Sequence, residues 1–224
     1  MKIIAILNMR LASSRLKKKL LKPFGNTTLA EIAIKKLSNL KLLDEKYMAA
    51  YEKKLLDIGY KYLPKKSVIT RSRKSAYSQN NLFLEWEYLK KIDFDYCIWI
   101  NSCHAHLKKS TIEKAIKEIR TNKHPALTSV IRHYSWFYKI NGKNPINNLN
   151  PKSQKNTQDS FPIYEVAHAF HIFNRKQFFS KGVIWNNKKN DPYLFEISKI
   201  ESLDVDDLDD FKISESVYKN NIRT

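Results

Sequence analysis

The amino-terminal stretch Ile3-Ile4-Ala5-Ile6-Leu7-Asn8-Met9-Arg10-Leu11-Ala12-Ser13-Ser14-Arg15-Leu16-Lys17-Lys18-Lys19 decides the fold of this protein. Its first five residues form an apolar run without the gaps of an amphipathic helix, which predicts a buried β-strand. The run leads directly into a loop rich in cations. The stretch therefore predicts a strand end that receives a polyanion.

The polar side chains of this loop explain why a polyanion is expected to bind there. Arg10, Arg15 and Lys19 are spaced so that their charges can converge on one phosphate chain, while Ser13 and backbone N–H groups donate hydrogen bonds to it. The loop lacks the Gly-Lys-Ser/Thr sequence of a P-loop. A solvated basic surface loop is the alternative interpretation, because the whole protein is basic.

Length and composition limit the class of protein. The chain has 224 residues, which fits one α/β domain over residues 1–224. Its two cysteines, Cys97 and Cys103, follow no secretory segment, so we expect reduced thiols and a cytoplasmic protein. The longest apolar runs are far shorter than the roughly 18 residues that span a bilayer.

The net charge of +19 raises the question of a nucleic-acid partner. Most of the charge is lysine, and it is spread over the polar faces of helix-like segments such as 28–43 and 110–122. A nucleic-acid surface would gather the cations on one element. The pattern therefore does not favour nucleic acid.

The remaining periodicity predicts alternating helices and strands. Thr27 or Thr28 is expected to cap a crossover helix, and Gly59 is expected at the end of a later helix. The following segments are predicted as strands: 46–51, 67–70, 93–100 and 126–132. A short segment through residue 58 and the segment 111–121 are predicted as helices. The segment 82–90 is predicted to be amphipathic, with Leu82, Trp86 and Leu89 on one face.

An acidic run near the carboxyl terminus is the second informative stretch. Asp204 and Asp206 alternate on a short strand-like segment, so we expect both carboxylates on one side, where they can share a hard cation such as Mg²⁺. Asp207 is expected to cap the next helix. A solvated acidic turn is the alternative. Cys103, with the histidines that follow it, invites a zinc interpretation, but the sequence supplies no second Cys/His pair at a suitable spacing.

Both informative stretches resemble one enzyme family. Arg10-x-x-Ser13-x-Arg15-x-x-x-Lys19, followed by Lys22-Pro23, resembles the amino-terminal signature of the cytidylyltransferases that make CMP-sugars, the acylneuraminate and CMP-KDO synthetases. Asp204-Val205-Asp206, followed by Asp210-Phe211, resembles the acidic ending of the same enzymes. Recognisable segments cover most of the chain, and residues 44–80 match least.

The resemblance implies roles for individual residues. It implies that Arg10, Lys19 and Asp206 are catalytic, and that an arginine of the segment after residue 70 joins the loop cations at the nucleotide; Arg71 is chosen for this role, with Arg73 as the alternative. It implies that Asp204 and Asp206 bind Mg²⁺ or Mn²⁺. The acceptor is expected to meet Asn101, which stands where the family has glutamine, and also His104, Glu165 and Phe170.

The resemblance also implies a fold and a reaction. The expected fold is α/β, a mainly parallel sheet flanked by helices, of the Rossmann-like nucleotide-diphospho-sugar transferase type. An arm over about 133–162 is expected to project and pair two subunits. The implied reaction uses CTP to activate a 2-keto sugar acid, N-acetylneuraminate or KDO, for cell-surface polysaccharide synthesis, and it releases pyrophosphate.

Two departures keep other functions open. Ala50-Tyr51-Glu52 replaces a Thr/Ser-Asp-Asp ending on the second strand, and His168 stands where the family has a small residue. The alternatives are a nucleotidyltransferase for another sugar or nucleotide, and a non-catalytic relative that binds nucleotide or nucleic acid. Competitive binding of the four nucleoside triphosphates would reveal the first alternative. A steep fall of oligonucleotide affinity with salt, together with no CTP binding, would favour the second.

Overall fold

The apolar run at the amino terminus forms the central strand β1 (Ile3–Asn8). A computed structural model of the protein describes residues 1–78, 81–140, 142, 146–147 and 156–222. In β1, Ile3, Ala5 and Leu7 pack into one apolar core, and Ile4 and Ile6 pack into a second core on the opposite face of the sheet. The run is continuously apolar because both faces of the strand are buried.

β1 lies within a seven-stranded sheet. The other strands are β2 (Glu45–Ala50), β3 (Val68–Thr70), β4 (Tyr96–Ile100), β5 (Ala126–His133), β6 (Ile163–Asn174) and β7 (Tyr193–Glu196). Their spatial order is β3-β2-β1-β4-β6-β5-β7. β6 is antiparallel to both of its neighbours, and every other pairing in this sheet is parallel. The predicted mainly parallel α/β sheet is confirmed.

Helices cover both faces of the sheet. They are α1 (Leu29–Asn39), α2 (Lys53–Tyr62), α3 (Arg73–Ala76), α4 (Leu82–Glu85), α5 (Lys109–Asn122), α6 (Arg175–Lys181) and α7 (Leu208–Ile222). The predicted cap of α1 is confirmed, because the Thr28 side chain accepts a hydrogen bond from the Glu31 N–H. Among the described residues, no helix has both the length and the apolar composition needed to cross a membrane.

One local prediction was wrong because a tertiary contact overrides the local pattern. Gly59 lies inside α2, where a Cβ atom would come within 3.0 Å of Met48 Sδ, so the glycine permits a close helix–sheet approach and ends no helix. The predicted apolar face over 82–90 is confirmed, because Leu82, Trp86 and Leu89 pack in the same core, and the segment is built from α4 and a 3₁₀ turn. Trp86 at the junction is fully buried and stacks on Phe173.

The predicted arm over 133–162 falls partly outside the described residues, which exclude 141, 143–145 and 148–155. Within its described part, the Asn147 amide group ties separate segments together, because it donates to the carbonyls of Ser135 and Phe161 and accepts from the Phe137 N–H. Several large apolar side chains of this region are exposed. They are Tyr134, Tyr138, Ile140, Ile146, Phe161 and Tyr164.

Candidate active site

A polar cleft of about 600 Å³ opens at the carboxyl ends of the parallel strands. It lies where β1 and β4 are neighbours and the strand order reverses, which is where open α/β sheets bind ligands. The loops that follow β1, β3 and β4 all contribute to its wall, as the sequence predicts. The lining residues are Asn8, Met9, Arg10, Ala12, Ser13, Ser14, Arg15, Lys19, Leu20, Arg71, Tyr77, Glu85, Trp99, Asn101, Ser102, Cys103, Asp204 and Asp206.

The basic loop and the acidic run meet across this cleft. Arg15 Nη2 lies 2.7 Å from one carboxylate oxygen of Asp206, and Lys19 Nζ lies 3.1 Å from the other. Lys19 Nζ also donates to the Val205 carbonyl. Burial acts to lower the pKa of Lys19, but its acidic neighbours Cys103, Asp206 and Asp204 together raise it, so the ammonium stays charged. Two segments that are 187 positions apart in sequence form one site.

Asp204 differs from Asp206 in its environment. Asp204 Oδ1 is buried without a hydrogen-bond partner, and the residues around it form no strand. The segment is thus no regular strand, but both side chains line the cleft, as the predicted placement of the two carboxylates on one side requires. Burial, followed by the charge of Asp206, raises the pKa of Asp204 to about 6. Asp207 caps α7 as predicted, because its Oδ1 accepts from the N–H groups of Asp209 and Asp210.

The two aspartates fit a hard divalent cation. Asp204 offers an unpartnered buried oxygen, and a cation would relieve the repulsion between the two carboxylates. Among the described residues, no group of three or more His, Cys, Asp or Glu side chains is arranged to hold a metal. The other ligands of such a cation would therefore come from a phosphate chain and water.

Arg71 is the arginine of its segment that reaches the cleft. Its side chain is almost completely buried, and its guanidinium donates to the Ser75 carbonyl at 2.7 Å and to Ser75 Oγ at 3.2 Å. Burial lowers the pKa of Arg71, and Glu85 lies 3.9 Å away as a counter-charge. Arg73, the alternative in sequence, is exposed and does not line the cleft.

Glu52 supports the basic loop, a role that sequence reasoning missed. Its Oε1 accepts from the Leu11 N–H at 2.9 Å and from the Tyr77 hydroxyl at 2.8 Å. The side chain therefore connects the end of β2 to the loop after β1 and to the segment after α3. Its position beside the expected acidic ending of the second strand was the available signal, but contacts 41 and 25 positions away are not visible in a local pattern.

The loop after β4 carries two of the residues that were predicted to meet the acceptor, and only one of them lines the cleft. Asn101 lines the cleft, and its side-chain oxygen accepts from the Cys103 N–H at 3.0 Å, which holds the amide in place. His104 is buried behind the cleft, where its Nε2–H donates to the Ala167 carbonyl at 2.9 Å. Its Nδ1 lies 3.8 Å from Asp204 Oδ1. Burial lowers the pKa of His104 to about 3, so the ring is neutral.

The structure does not bring the other two predicted acceptor residues to the cleft. Phe170 is fully buried in the core, where it packs against Phe195, because its position in β6 faces inward. Glu165 lies at the far end of β6 with an exposed side chain that pairs with His133 at 2.7 Å. Trp99, by contrast, was not predicted and lines the cleft because β4 alternates its side chains between the two faces.

Comparisons with known proteins agree with this architecture. The CMP:2-keto-3-deoxy-manno-octonic acid synthetase complexed with CTP has a TM-score of 0.70 and 12% identity, with 99% of this chain and 100% of that chain covered. The 4-diphosphocytidyl-2C-methyl-D-erythritol synthase of Anaerococcus prevotii has a TM-score of 0.65 and 14% identity, with 97% and 96% covered. A cytidylyltransferase of Leptospira borgpetersenii has a TM-score of 0.60 and 15% identity, with 98% and 87% covered.

At these identities the structural likeness shows the fold. A comparison with curated proteins gave no significant match. The cytidylyltransferase family matches residues 4–221, which include both the basic loop and the acidic run of the cleft. The chain therefore belongs to the cytidylyltransferase family.

Proposed function

We propose that this cytidylyltransferase joins CMP to a 2-keto sugar acid and releases pyrophosphate from CTP. One observation carries the proposal: Arg15 and Lys19 of the basic loop contact Asp206 of the acidic run within a single cleft. This arrangement places cations for a triphosphate next to carboxylates for a divalent cation. The resemblance to CMP-sugar synthetases, in motif and in fold, supports the acceptor class.

The balance of the reaction is simple. The anomeric hydroxyl oxygen of the acceptor forms a bond to the α-phosphorus of CTP, the bond between the α-phosphorus and the bridging oxygen breaks, and pyrophosphate leaves. The hydroxyl proton passes to solvent. No covalent intermediate with the protein is needed, because transfer of this kind is catalysed by positioning and by charge neutralisation.

The chain's own residues supply these effects. Arg10, Arg15 and Lys19 neutralise and orient the triphosphate, while Ser13 and the backbone of the loop donate hydrogen bonds to it. Arg71 is held by Ser75 in a fixed position at the nucleotide end of the cleft. Glu52 keeps the basic loop in place by accepting from Leu11.

Asp204 and Asp206 would hold Mg²⁺ or Mn²⁺, which when bound supplies charge neutralisation at the phosphates and lowers the pKa of the attacking hydroxyl. Arg15 and Lys19 also form ion pairs with Asp206. The Arg15 and Lys19 side chains are thus positioned to leave the Asp206 carboxylate and bind phosphate oxygens when CTP binds.

Acceptor recognition is assigned to Asn101. Its amide lines the cleft, and the Cys103 N–H fixes its orientation. The shorter side chain, compared with the glutamine of the family, places the amide group one methylene farther back. The site therefore accommodates an acceptor with a bulkier group at this point.

Pyrophosphate release tests the proposal. Purified protein is incubated with CTP, Mg²⁺ and one of three acceptors: N-acetylneuraminate, KDO or 2C-methyl-D-erythritol 4-phosphate. We expect pyrophosphate with a sugar acid and none with the phosphorylated erythritol. Two results contradict the proposed acceptor class. One is release of pyrophosphate with the phosphorylated erythritol alone, and the other is the failure of every member of a broader panel of nonulosonic acids to support release.

A homodimer is part of the same proposal. It is supported by the exposure of Tyr134, Tyr138 and Phe161, which are 48%, 53% and 69% exposed in the single chain. Aromatic side chains of this kind are enriched at protein interfaces. Light scattering coupled to size exclusion is expected to give a dimer mass for the wild type and a monomer mass for a Tyr138→Ser, Phe161→Ser double variant. A monomeric wild type contradicts this part.

A further inference from the structure

His104 is a buried histidine with one ring nitrogen that the proposed function leaves without a role. Its side chain has no exposed surface, and its Nδ1 has no hydrogen-bond partner among the described residues. Buried polar atoms are almost always paired, so an unpaired one requires an explanation. The imidazole stands directly behind the wall of the cleft that carries Asp204.

The other ring nitrogen determines what Nδ1 can do. His104 Nε2 lies 2.9 Å from the Ala167 carbonyl, which can only accept, so Nε2 carries the proton. Burial lowers the pKa of His104 to about 3, and the ring is neutral at pH 7. A neutral ring that is protonated on Nε2 has a free lone pair on Nδ1. Nδ1 can therefore accept a hydrogen bond or bind a metal ion.

A second unpaired acceptor faces this lone pair. Asp204 Oδ1 is also buried without a hydrogen-bond partner in the described part of the chain, and it lies 3.8 Å from His104 Nδ1. This distance is too long for a direct hydrogen bond. It falls within the range of about 3 to 4 Å that separates two ligand atoms when each binds the same ion at about 2.1 Å. One divalent cation would pair both atoms at once.

The surrounding backbone holds the imidazole and the carboxylate in these positions. Lys36 Nζ, on α1, donates to the His104 carbonyl at 2.8 Å, and the Val205 N–H donates to the Cys103 carbonyl at 3.3 Å. Histidines that bind metal ions almost always donate their second ring N–H to a backbone carbonyl, a carboxylate or water, which fixes the tautomer and the ring orientation. The contact of His104 with Ala167 has this arrangement, so Nδ1 is preorganised as a ligand.

We propose that His104 Nδ1 is a ligand of the divalent cation together with Asp204, and that the cleft therefore prefers a first-row transition-metal ion such as Mn²⁺ to Mg²⁺. The inference rests on the proposed function, since it adds a ligand to the cation site of the same cleft. Imidazole nitrogen is a good ligand for transition metals, whereas Mg²⁺ prefers oxygen. Asp206 is free to join the two ligands once Arg15 and Lys19 move to the phosphates of CTP.

Pulsed electron paramagnetic resonance of bound Mn²⁺ detects the ligand nitrogen directly in the wild-type protein. A substoichiometric amount of Mn²⁺ is added with and without α,β-methylene-CTP, and the modulation of the electron spin echo by nitrogen nuclei is recorded. Protein labelled with ¹⁵N in its histidines is compared with unlabelled protein. We expect a nitrogen coupling that changes from the ¹⁴N to the ¹⁵N pattern with the label. A spectrum without a histidine coupling under both conditions overturns the proposal.

A pair of variants tests the residue. His104→Gln removes the ligand nitrogen, while its side-chain amide N–H can still donate to the Ala167 carbonyl. His106→Gln is the matched control, because His106 lies in the same loop and its Nε2 also contacts a backbone carbonyl, that of Ser214, at 3.0 Å. We expect His104→Gln to weaken Mn²⁺ binding about tenfold and to leave Mg²⁺ binding within about twofold. His106→Gln is expected to change neither affinity.

The affinities are measured from the signal of free Mn²⁺, with Mg²⁺ as the competitor. Equal Mn²⁺ affinities of the wild type and a folded His104→Gln variant overturn the proposal, and if that variant does not fold, the nitrogen coupling of the wild type decides alone. A protein that shows the histidine coupling but releases no pyrophosphate with any sugar acid contradicts the proposed function and supports this inference. A protein that releases pyrophosphate but shows no histidine coupling supports the proposed function and overturns this inference.

Discussion

Asp206 illustrates how single residues assemble this site. Its two carboxylate oxygens take different cations, Arg15 and Lys19, from a loop at the other end of the chain. Charge-assisted hydrogen bonds of this kind are stronger than neutral ones. Asp204, on the same wall, has a buried oxygen without a partner. The pair therefore combines one satisfied and one unsatisfied carboxylate, which suits a cation brought in with its phosphate ligands.

The Lys19 ammonium is expected to contribute directly to turnover. Lys19→Met keeps the aliphatic stem and removes the charge, so we expect kcat/KM for pyrophosphate release to fall about a hundredfold. Lys17→Met is the control, because Lys17 is exposed and does not line the cleft. A loss in Lys19→Met no larger than in Lys17→Met would remove Lys19 from the mechanism.

At neutral pH, Asp204 is expected to lower the free energy of unfolding of the protein, although it is proposed to bind the divalent cation. Its folded pKa of about 6 lies above the usual unfolded value of about 3.9. The folded state therefore binds more protons between these two values, and the free energy of unfolding falls as the pH rises through this window.

Asp204→Asn should remove this cost. We expect its free energy of unfolding to exceed that of the wild type at pH 7 by on the order of 1 kcal/mol, discounted because 31% of the side chain is exposed. The difference should shrink towards about pH 4. Urea denaturation without divalent cations measures it, and Asp57→Asn on the exposed face of α2 is the control. A variant less stable than the wild type at pH 7 would show that Asp204 is a stabilising residue.

At the scale of elements, local pattern predicted those features that depend on local chemistry. The apolar run predicted β1, Thr28 predicted the start of α1, and Asp207 predicted the start of α7. Features that depend on distant partners were not visible in the sequence. Glu52 and Trp86 acquire their positions from segments that only the folded sheet brings near. The convergence of the loops followed from sheet topology, whereas the exact pairing of Asp206 required side-chain geometry.

The anchoring of the basic loop by Glu52 can be tested separately from chemistry. Glu52→Ala removes the acceptor for Leu11 N–H and the Tyr77 hydroxyl. We expect the KM for CTP to rise about tenfold with a smaller change in kcat, because the loop loses its fixed position. Asp57→Ala is the matched control. Unchanged kinetics with CTP would mean that the loop holds its shape without this contact.

The packing of α2 against the sheet predicts an unusual effect of alanine. In an exposed helix Gly→Ala stabilises, but at Gly59 the new Cβ would lie 3.0 Å from Met48 Sδ and 3.3 Å from two methyl carbons of Val68. Val68 is stiff at χ1 and cannot easily move away. We therefore expect Gly59→Ala to lower the free energy of unfolding by about 1 kcal/mol. A more stable variant would contradict this close contact.

At the scale of the whole molecule, the sheet order explains why the two ends of the chain form one site. β1 is central in the sheet, and the cleft opens at its carboxyl end, beside β4, where the strand order reverses. The acidic run precedes α7, and α7 packs back on the start of the chain through contacts of Phe24 with Phe211 and Tyr218. The net charge of +19 favours the long-range approach of an anionic ligand such as a triphosphate.

The most direct test of the central claim, that the two chain ends form one CTP site, is calorimetric titration of the wild-type protein with each of the four nucleoside triphosphates in the presence of Mg²⁺. We predict that CTP binds tightest and that Arg15→Met together with Asp206→Asn abolishes its binding while the fold, monitored by circular dichroism, is kept. Equal affinity for all four nucleotides, or CTP binding that survives the double variant, would contradict the claim.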